Sequence, residues 1–459
     1  MTSPMLTFLG ATGTVTGSRF VVDTAQSTVM VDAGLYQGLK ELRRRNWDPF
    51  PRDPSMVAAL VLTHAHLDHV GYLPRLVREG FTGPVVCTEE TAELAAIVLR
   101  DSAHLQEEDA AYANEAGFSA HSPALPLYDA SDVERTLELV RAVPLHDRVP
   151  LEDDVWVTLR PAGHILGSAT ALVEAGGTRT LFSGDLGRPH HPVVPDREDP
   201  PAADAVVMET TYGDRVHESG GPDRLAESVR RTIGRGGSVL IPAFAVDRTE
   251  IVLLRLGRLM AEGAIPTVPV HVDSPMALAA LDVYRRALAR RDPATMPPGW
   301  DPRTFGVPDL RVAHTATESQ ALNSPRHPCI VISASGMATG GRVVHHLAHQ
   351  LPDPRNCVVL TGYQAEGTRG RDLLAGAKEV KIHGRYVPVR AECVDDPEFS
   401  VHADADEIVE WLRRSPSPPR TVYAVHGEPV AAEALAGRVR HELGWSAVVP
   451  RYGERVRLD

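Results

Sequence analysis

Short runs of apolar and β-branched residues alternate along the 459-residue chain with longer stretches whose apolar positions recur at helical spacing. That alternation predicts a layered α/β architecture. The strand-like runs share one habit, which is to end in a polar, glycine-containing segment. AALVLT runs into His64, VWVTL leads to PAGHILGS, TLFS ends at Gly184 and Asp185, and TVYAV ends at His426 and Gly427. VLIPAF, CIVISASGMATGG and NCVVLTGYQAEGTRGR repeat the pattern. Binding and catalytic side chains gather where strands give way to loops, so the candidate chemistry is expected along such edges. Proline-rich pieces at 196–205, 297–302 and 415–420 read as loops or domain edges, and no internal repeat is evident.

Composition narrows the picture in two places. A net charge of -13 argues against a protein that coats nucleic acid by bulk attraction, while leaving local contact with an anionic substrate open. Cys87, Cys329, Cys357 and Cys393 are scattered and form no C-x-x-C pair, which speaks against a disulfide framework or thiolate zinc site and for a reducing compartment. The first residues lack a signal-peptide pattern, and no run approaches the roughly eighteen apolar residues of a spanning helix. A cytoplasmic protein with no membrane partner is expected.

The densest chemical signal is His64-Ala-His66-Leu-Asp68-His69, directly after a buried-strand pattern. Imidazole nitrogen and carboxylate oxygen suit Zn²⁺ or Mn²⁺, and side chains diverging from a loop can serve two neighbouring ions. His164, Asp185 and His426 have the same strand-end setting beside glycine, and Asp32 closes the strand TVMVD. A single closed structural zinc needs four ligands, and this chain offers more. His104, His146 and His441 read as surface or packed residues, and His190, His191, His345, His346 and His349 as solvated or helix-face ones. GATGTVTGS at 10–18 lacks the lysine of a phosphate loop and reads as a hairpin turn.

The cluster at 64–69 with Asp32, His164 and Asp185 resembles the metallo-β-lactamase superfamily, an αββα sandwich with metal at one edge. METTYGDR around Glu209, EFSVHADADE around His402 and YAVHGEP around His426 resemble motifs A, B and C of its β-CASP branch, and VDSPMA, SASGMATGGR and TGYQAEGTRGR are phrases typical of it. The compact size is similar to prokaryotic ribonucleases related to the nuclease subunit of the cleavage and polyadenylation specificity factor. A histidine in motif C places the chain on the RNA side of the branch rather than the DNA-repair side. Thr210 stands where serine is common and Asp247-Arg248 where Gly-Arg is common, and neither is expected to touch a ligand.

The resemblance implies a sandwich formed by 1–208 and 391–459, with an α/β β-CASP insertion at 209–390 and a substrate groove between them. It assigns His64, His66 and His164 to one ion and Asp68, His69 and His426 to another, with Asp185 bridging and Asp32 steering a ligand imidazole. Two divalent ions, zinc in the first place and manganese as the alternative, would activate the attacking water. His402 would protonate the leaving 3′ oxygen, oriented by Glu209. Backbone around Ser333, Ser335 and Gly336, together with Arg369, Arg371 and Ser400, would contact phosphates. The implied activity is hydrolysis of single-stranded RNA, endonucleolytic, 5′-to-3′ exonucleolytic or both, in a possible homodimer. The long insertion and the three motifs argue against small-molecule hydrolases on the same metal centre, such as a lactamase or a glyoxalase-type thioesterase, and His426 argues against a DNA nuclease. A non-catalytic scaffold would have lost ligands that are all present here.

Overall fold

A computed structural model of the chain describes residues 3–117, 121–217, 223–290 and 306–458, and the proline-rich segment at 297–302 lies outside them. The other two proline-rich pieces are loops, as expected. The chain divides into two compact units, one of Met1–Gln37, Glu41–Val216 and Val401–Asp459, the other of Gly38–Lys40 and His217–Ser400.

In the first unit two seven-stranded sheets stack face to face. One runs in the order Arg455–Arg457, Met5–Phe8, Arg19–Asp23, Thr28–Ala33, Ala59–Val61, Val85–Cys87, Val140–Ala142. The other runs Ala447–Val448, Thr421–Val425, Ala205–Glu209, Thr178–Phe182, Ala169–Ala175, Val155–Pro161, Arg148–Glu152. Alternation sets the faces: Val155, Val157 and Leu159 are fully buried while the residues between them are only partly covered. They meet Leu6, Phe8, Phe20, Val29 and Val31 of the first sheet in one apolar core between the sheets. Helices Ala405–Arg413 and Pro429–Arg438 cover the back of the second sheet through Ile408, Leu412, Ala432 and Leu435 against Leu181, Val206, Met208 and Ala424. The short strands Ala59–Val61 and Val85–Cys87 are buried throughout. Helices Leu73–Arg78, Glu89–Ala116 and Ala130–Glu138 follow them in the chain and bury their own apolar faces. This is the αββα sandwich.

Strand direction explains where the chemistry collects. Met5–Phe8 and Thr28–Ala33 both pair antiparallel with Arg19–Asp23, so their C-terminal ends share an edge; Ala59–Val61 is parallel to Thr28–Ala33 and ends there too. In the other sheet Thr178–Phe182, Ala205–Glu209 and Thr421–Val425 are mutually parallel. Residues 10–18 form the long turn of the first hairpin.

The second unit holds a six-stranded parallel sheet, Leu310–Val312, Val270–Val272, Ile330–Ser333, Val239–Pro242, Cys357–Leu360, Glu392–Asp395. Helices connect its strands, as parallel pairing requires.

Candidate metal centre and active site

The ligand cluster begins one residue after the buried strand Ala59–Val61 and its extension Leu62-Thr63. His64 lies in the strand-end loop, His66 precedes the short helix Leu67–Val70, and Asp68 and His69 lie on it. Glycine makes room: a Cβ at Gly34 would run into the Asp68 backbone carbonyl, and that carbonyl accepts the Ser18 amide at 2.9 Å. His164 follows Val155–Pro161, Asp185 follows Thr178–Phe182, and His426 follows Thr421–Val425 at φ 50°. The His426 amide donates to the carbonyl of Ala11 at 2.7 Å, so the first hairpin turn also holds this ligand.

The other six side chains gather around Asp185. Its Oδ2 lies 3.4 Å from His64 Nε2 and 3.4 Å from His164 Nε2, and His164 Nε2 is 3.1 Å from His66 Nδ1. Its Oδ1 lies 3.1 Å from His69 Nε2. His426 Nε2 completes that side, 3.3 Å from His69 Nε2 and 3.1 Å from Asp68 Oδ2. The ligand atoms thus form two groups, His64/His66/His164/Asp185 and Asp68/His69/Asp185/His426, each compact enough to hold one ion.

The electrostatics fit that use. Burial pushes the His64 imidazole down, His164 well down, and His66 to about 3, favouring the neutral form a metal ligand needs. Burial opposes ionisation of Asp185, but the imidazoles of His426, His69, His64 and His402 outweigh it and hold the carboxyl well below its usual range. For His69, burial is likewise outweighed, here by Asp185 and Asp32, which hold it well above the ordinary histidine range. Buried and without a hydrogen-bond donor, His64 Nε2 and Asp185 Oδ1 are orphaned acceptors. Lone pairs crowded to these distances repel unless a proton or cation lies between them, and nitrogen with oxygen donors is the set that borderline divalent ions accept.

Neighbours fix the ligands. Asp32, itself at φ 59°, accepts the Thr63 amide at 2.8 Å and lies 2.7 Å from His69 Nδ1, which turns Nε2 toward Asp185. Thr63 Oγ1 lies 3.1 Å from His64 Nδ1, and Thr211 Oγ1 lies 3.1 Å from His426 Nδ1. Glu209, fully buried, accepts the amides of Leu186 and Thr211 at 2.9 and 3.0 Å, and its Oε1 is 3.1 Å from His402 Nδ1. His402 Nε2 consequently faces the cluster, 4.0 Å from Asp185 Oδ2.

Family models match three consecutive stretches: "Metallo-beta-lactamase superfamily" over residues 13–242, "Beta-Casp domain" over 249–373, and "Zn-dependent metallo-hydrolase RNA specificity domain" over 386–450. The chain belongs to the β-CASP family of metallo-β-lactamase-fold proteins. It is 38% identical to "Ribonuclease TTHA0252" of Thermus thermophilus, over 97% of this chain and 98% of that one. It is 29% identical to an "RNase J-like protein" of Methanocaldococcus jannaschii, over 98% of each. It is 30% identical to "Transcription termination factor FttA" of Pyrococcus horikoshii, over 99% of this chain and 71% of that one. A crystal structure of a protein of unknown function from Enterococcus faecalis shares the fold at TM-score 0.50 and 13% identity, covering 99% of this chain and 100% of that one.

The expected phosphate contacts of the β-CASP chain all lie in the second unit, and several are otherwise engaged. Ser333 ends a central strand, 1% exposed, with its hydroxyl donated to the Asp273 carbonyl at 2.9 Å, so its side chain does not reach solvent. Gly336 is buried against the Phe244 ring, and its carbonyl accepts from Gln364. Ser335 is partly exposed and caps the following turn through the Thr339 amide. Arg369 donates to the carbonyls of Ala338, Thr339 and Lys381, which makes it a latch between this loop and the hairpin Glu379–Ile382/Arg385–Pro388 instead of an open phosphate partner. Arg371 donates to the Gln364 carbonyl. Ser400 is buried with its hydroxyl unsatisfied.

Three further expectations change. The Thr210 amide donates to the carbonyl of His426 at 3.2 Å, so this residue does touch a ligand. Asp247 sits at φ 71°, the left-handed region, which explains why glycine is common at that position. His346 is not solvated: it is fully buried, its Nε2 2.6 Å from Asp273, and the spacing Val343, His346, Leu347, Gln350 marks the buried helix face. His191 is buried too, its Nδ1 accepting the amides of Val193 and Val194. Thr63 stands directly before the histidine cluster and Thr211 within METTYGDR, and neither residue type signals a role in the sequence.

Proposed function

We propose that this chain is a metal-dependent ribonuclease that hydrolyses phosphodiester bonds of single-stranded RNA at the Asp185 centre. The observation that carries the proposal is the convergence of six candidate ligand side chains on Asp185 with the His402–Glu209 pair facing the same carboxylate. The relatives named as ribonucleases, and a family model named for RNA specificity, support RNA as the substrate. His64, His66, His164 and Asp185 would hold one divalent ion, and Asp68, His69, Asp185 and His426 a second. When bound, such ions supply Lewis acidity, lowering the pKa of water and stabilising charge that grows on phosphate oxygens.

The chain's own groups do the rest. Asp32 and Thr63 hold His69 and His64 in the tautomers that present Nε2 to the centre. His402 delivers a proton from Nε2 to the departing 3′ oxygen, while Glu209 at Nδ1 orients the ring and favours its protonated form. Glu209 does not compete as a ligand, because both its oxygens already accept backbone amides. We also read zinc as the resident ion, with manganese as the alternative, a cytoplasmic location consistent with four free cysteines, and a homodimer. No helix among the described residues is long and apolar enough to cross a membrane.

The test uses purified protein with its metal content determined, incubated with 5′-labelled or internally labelled RNA and matched DNA. Asp185→Ala and His402→Ala run beside it. Metal-dependent cleavage of RNA, lost in Asp185→Ala and reduced at least about 100-fold in His402→Ala, is expected, and the product ladder separates endonucleolytic from exonucleolytic action. Protein carrying two ions that cleaves no RNA with any divalent metal would overturn the reading.

A further inference from the structure

Most surface arginines of this chain sit against a carboxylate; Arg78, Arg100, Arg148, Arg231, Arg311 and Arg414 are examples. Arg43, Arg44, Arg45 and Arg451 do not: among the described residues no carboxylate lies within 4.0 Å of any of their guanidinium nitrogens, the nearby Glu454 carboxylate accepting the Arg451 backbone amide instead. In a protein of net charge -13 a cluster of guanidinium groups without carboxylate partners stands out, since acidic groups are available in excess. Beside them stand two of the few exposed large aromatics among the described residues, Trp47 at 53% and Tyr452 at 44%.

The two chain segments that carry these residues are joined by stacking. The Arg45 guanidinium lies 4.5 Å from the centre of the Tyr452 ring on one side and 5.6 Å from Tyr36 on the other. The stack continues inward: Arg19 lies 4.9 Å from the Tyr36 ring and 3.6 Å from Tyr72. Arg19 is buried and donates to the carbonyl of Gly34, the residue packed on the Asp68 backbone. Tyr452 and its neighbours are pinned from the other side, Gly453 donating to Phe8 and Phe8 to Glu454. The surface group is therefore held in advance on the sheet edge where Met5–Phe8 and Thr28–Ala33 end. Their following loops support His426, through Ala11, and Asp68, through Gly34.

We propose that Arg43, Arg44, Arg45, Trp47, Arg451 and Tyr452 form a platform for single-stranded RNA outside the hydrolytic centre, with guanidinium groups on phosphates and the open ring faces stacked on bases. Unpaired arginines interleaved with exposed aromatics are what a sequence-tolerant single-strand site requires. Cation–π contacts leave Tyr452 one face for a base while fixing its orientation. The inference rests on the ribonuclease reading, because it takes RNA as the polymer that must be held while the centre cuts.

The platform adds affinity only for strands long enough to reach it. Relative to the parent, Arg43→Ala/Arg44→Ala and Trp47→Ala/Tyr452→Ala should each raise KM for a 20-nucleotide RNA roughly tenfold. Neither should change kcat, nor KM for a four-nucleotide substrate. The salt dependence of Kd, measured by anisotropy in an Asp185→Asn background so that the strand is not consumed, should flatten by about 1.4 in log–log slope for the arginine pair. Circular dichroism and metal content check that both variants fold. An unchanged Kd for the 20-nucleotide RNA overturns the platform, including where the same variants lose binding to phosphatidylserine vesicles. So does an equal loss on both substrate lengths. Failure of the parent protein, loaded with any divalent metal, to cleave either RNA is a different result, which overturns the ribonuclease reading and leaves the binding comparison standing.

Discussion

Replacing Asp32 by asparagine tests the logic of the metal centre with one oxygen exchanged for an NH₂ group. The backbone should tolerate it, since φ is 59° at this residue and asparagine enters the left-handed region more readily than most. Donors meet both oxygens of the carboxylate: the Thr63 amide at Oδ1, 2.8 Å, the Thr63 hydroxyl at 3.1 and 2.9 Å from the two, and His69 Nδ1 at Oδ2, 2.7 Å. An asparagine keeps only one acceptor oxygen, so only one side stays satisfied. If its oxygen faces Thr63, its amide N–H points at His69 Nδ1, forcing the imidazole proton onto Nε2, the nitrogen 3.1 Å from Asp185 Oδ1 and 3.3 Å from His426. A protonated Nε2 cannot ligate, and losses of this kind run about 10- to 100-fold in metal affinity, or about 1.4 to 2.7 kcal/mol. If the amide turns over, its N–H₂ opposes the buried Thr63 N–H and the cost, about 1–3 kcal/mol, falls on stability instead. Competition against a chromogenic chelator, with thermal unfolding of the stripped protein beside it, separates the two. The ion bound by Asp68, His69, Asp185 and His426 should weaken 10- to 100-fold while the one bound by His64, His66 and His164 stays within twofold. Unchanged affinities with an unchanged melting temperature, or equal weakening of both ions, would refute the reasoning.

Two further substitutions probe the supports. Gly34→Ala places a methyl group inside the Asp68 carbonyl and against the Ser18 amide, so the Asp68–His69 turn must move. The purified variant should retain its sandwich by circular dichroism yet bind one ion fewer and cleave RNA at least about 100-fold more slowly; full metal content with parental activity would contradict this. In the second unit, burial and the charge of Glu398 push the Asp396 carboxyl up to about 6, and its Oδ2 meets no donor. A raised carboxyl pKa means that the folded protein keeps a proton which the unfolded chain has released. The group therefore costs nothing below about pH 4, destabilises progressively as pH rises toward 6, and carries its full penalty above that. Asp396→Asn keeps an oxygen for the Glu398 amide and should stabilise by about 2 kcal/mol at pH 7.5. At pH 4 the gain should vanish in urea unfolding, and a gain equal at both pH values would exclude ionisation as the cause.

The clustering of the candidate ligands was legible because the sequence announces them twice. Histidine and aspartate recur at strand ends, and there they are bunched, as at 64–69, more densely than folding alone calls for. What holds them was not legible, because Thr63, Thr211 and Ser18 are ordinary residue types whose role depends on direction in space. In the second unit composition says less about the side chains. SASGMATGGR and GTRGR have the composition of a phosphate loop, yet composition does not reveal burial, and the Ser333 hydroxyl and the Arg369 guanidinium are taken up by carbonyls. His346 could have been recovered, since 343, 346, 347 and 350 share one helix face with two aliphatic residues. Asp247 could not, because a left-handed backbone at a non-glycine residue leaves no mark in a single sequence.

The centre uses one device twice, and exposure decides what each copy does. Asp32 and Glu209 are both buried carboxylates, each held by backbone amide donors and each aimed at the Nδ1 of a histidine, His69 at 2.7 Å and His402 at 3.1 Å. In both cases the effect is to direct Nε2 toward Asp185. For His69 that nitrogen is enclosed, with acceptors of Asp185, His426 and Asp68 at 3.1, 3.3 and 3.8 Å and a side chain only 2% exposed. Nothing but a proton or a metal ion can occupy such a point. For His402 the nearest of these carboxylate oxygens is 4.0 Å away and the side chain is 14% exposed. That nitrogen can exchange protons with whatever enters. On the proposed reading the same carboxylate–imidazole pair would make a ligand where acceptors surround it and an acid where one side is left to the substrate, and the difference lies in packing instead of residue type.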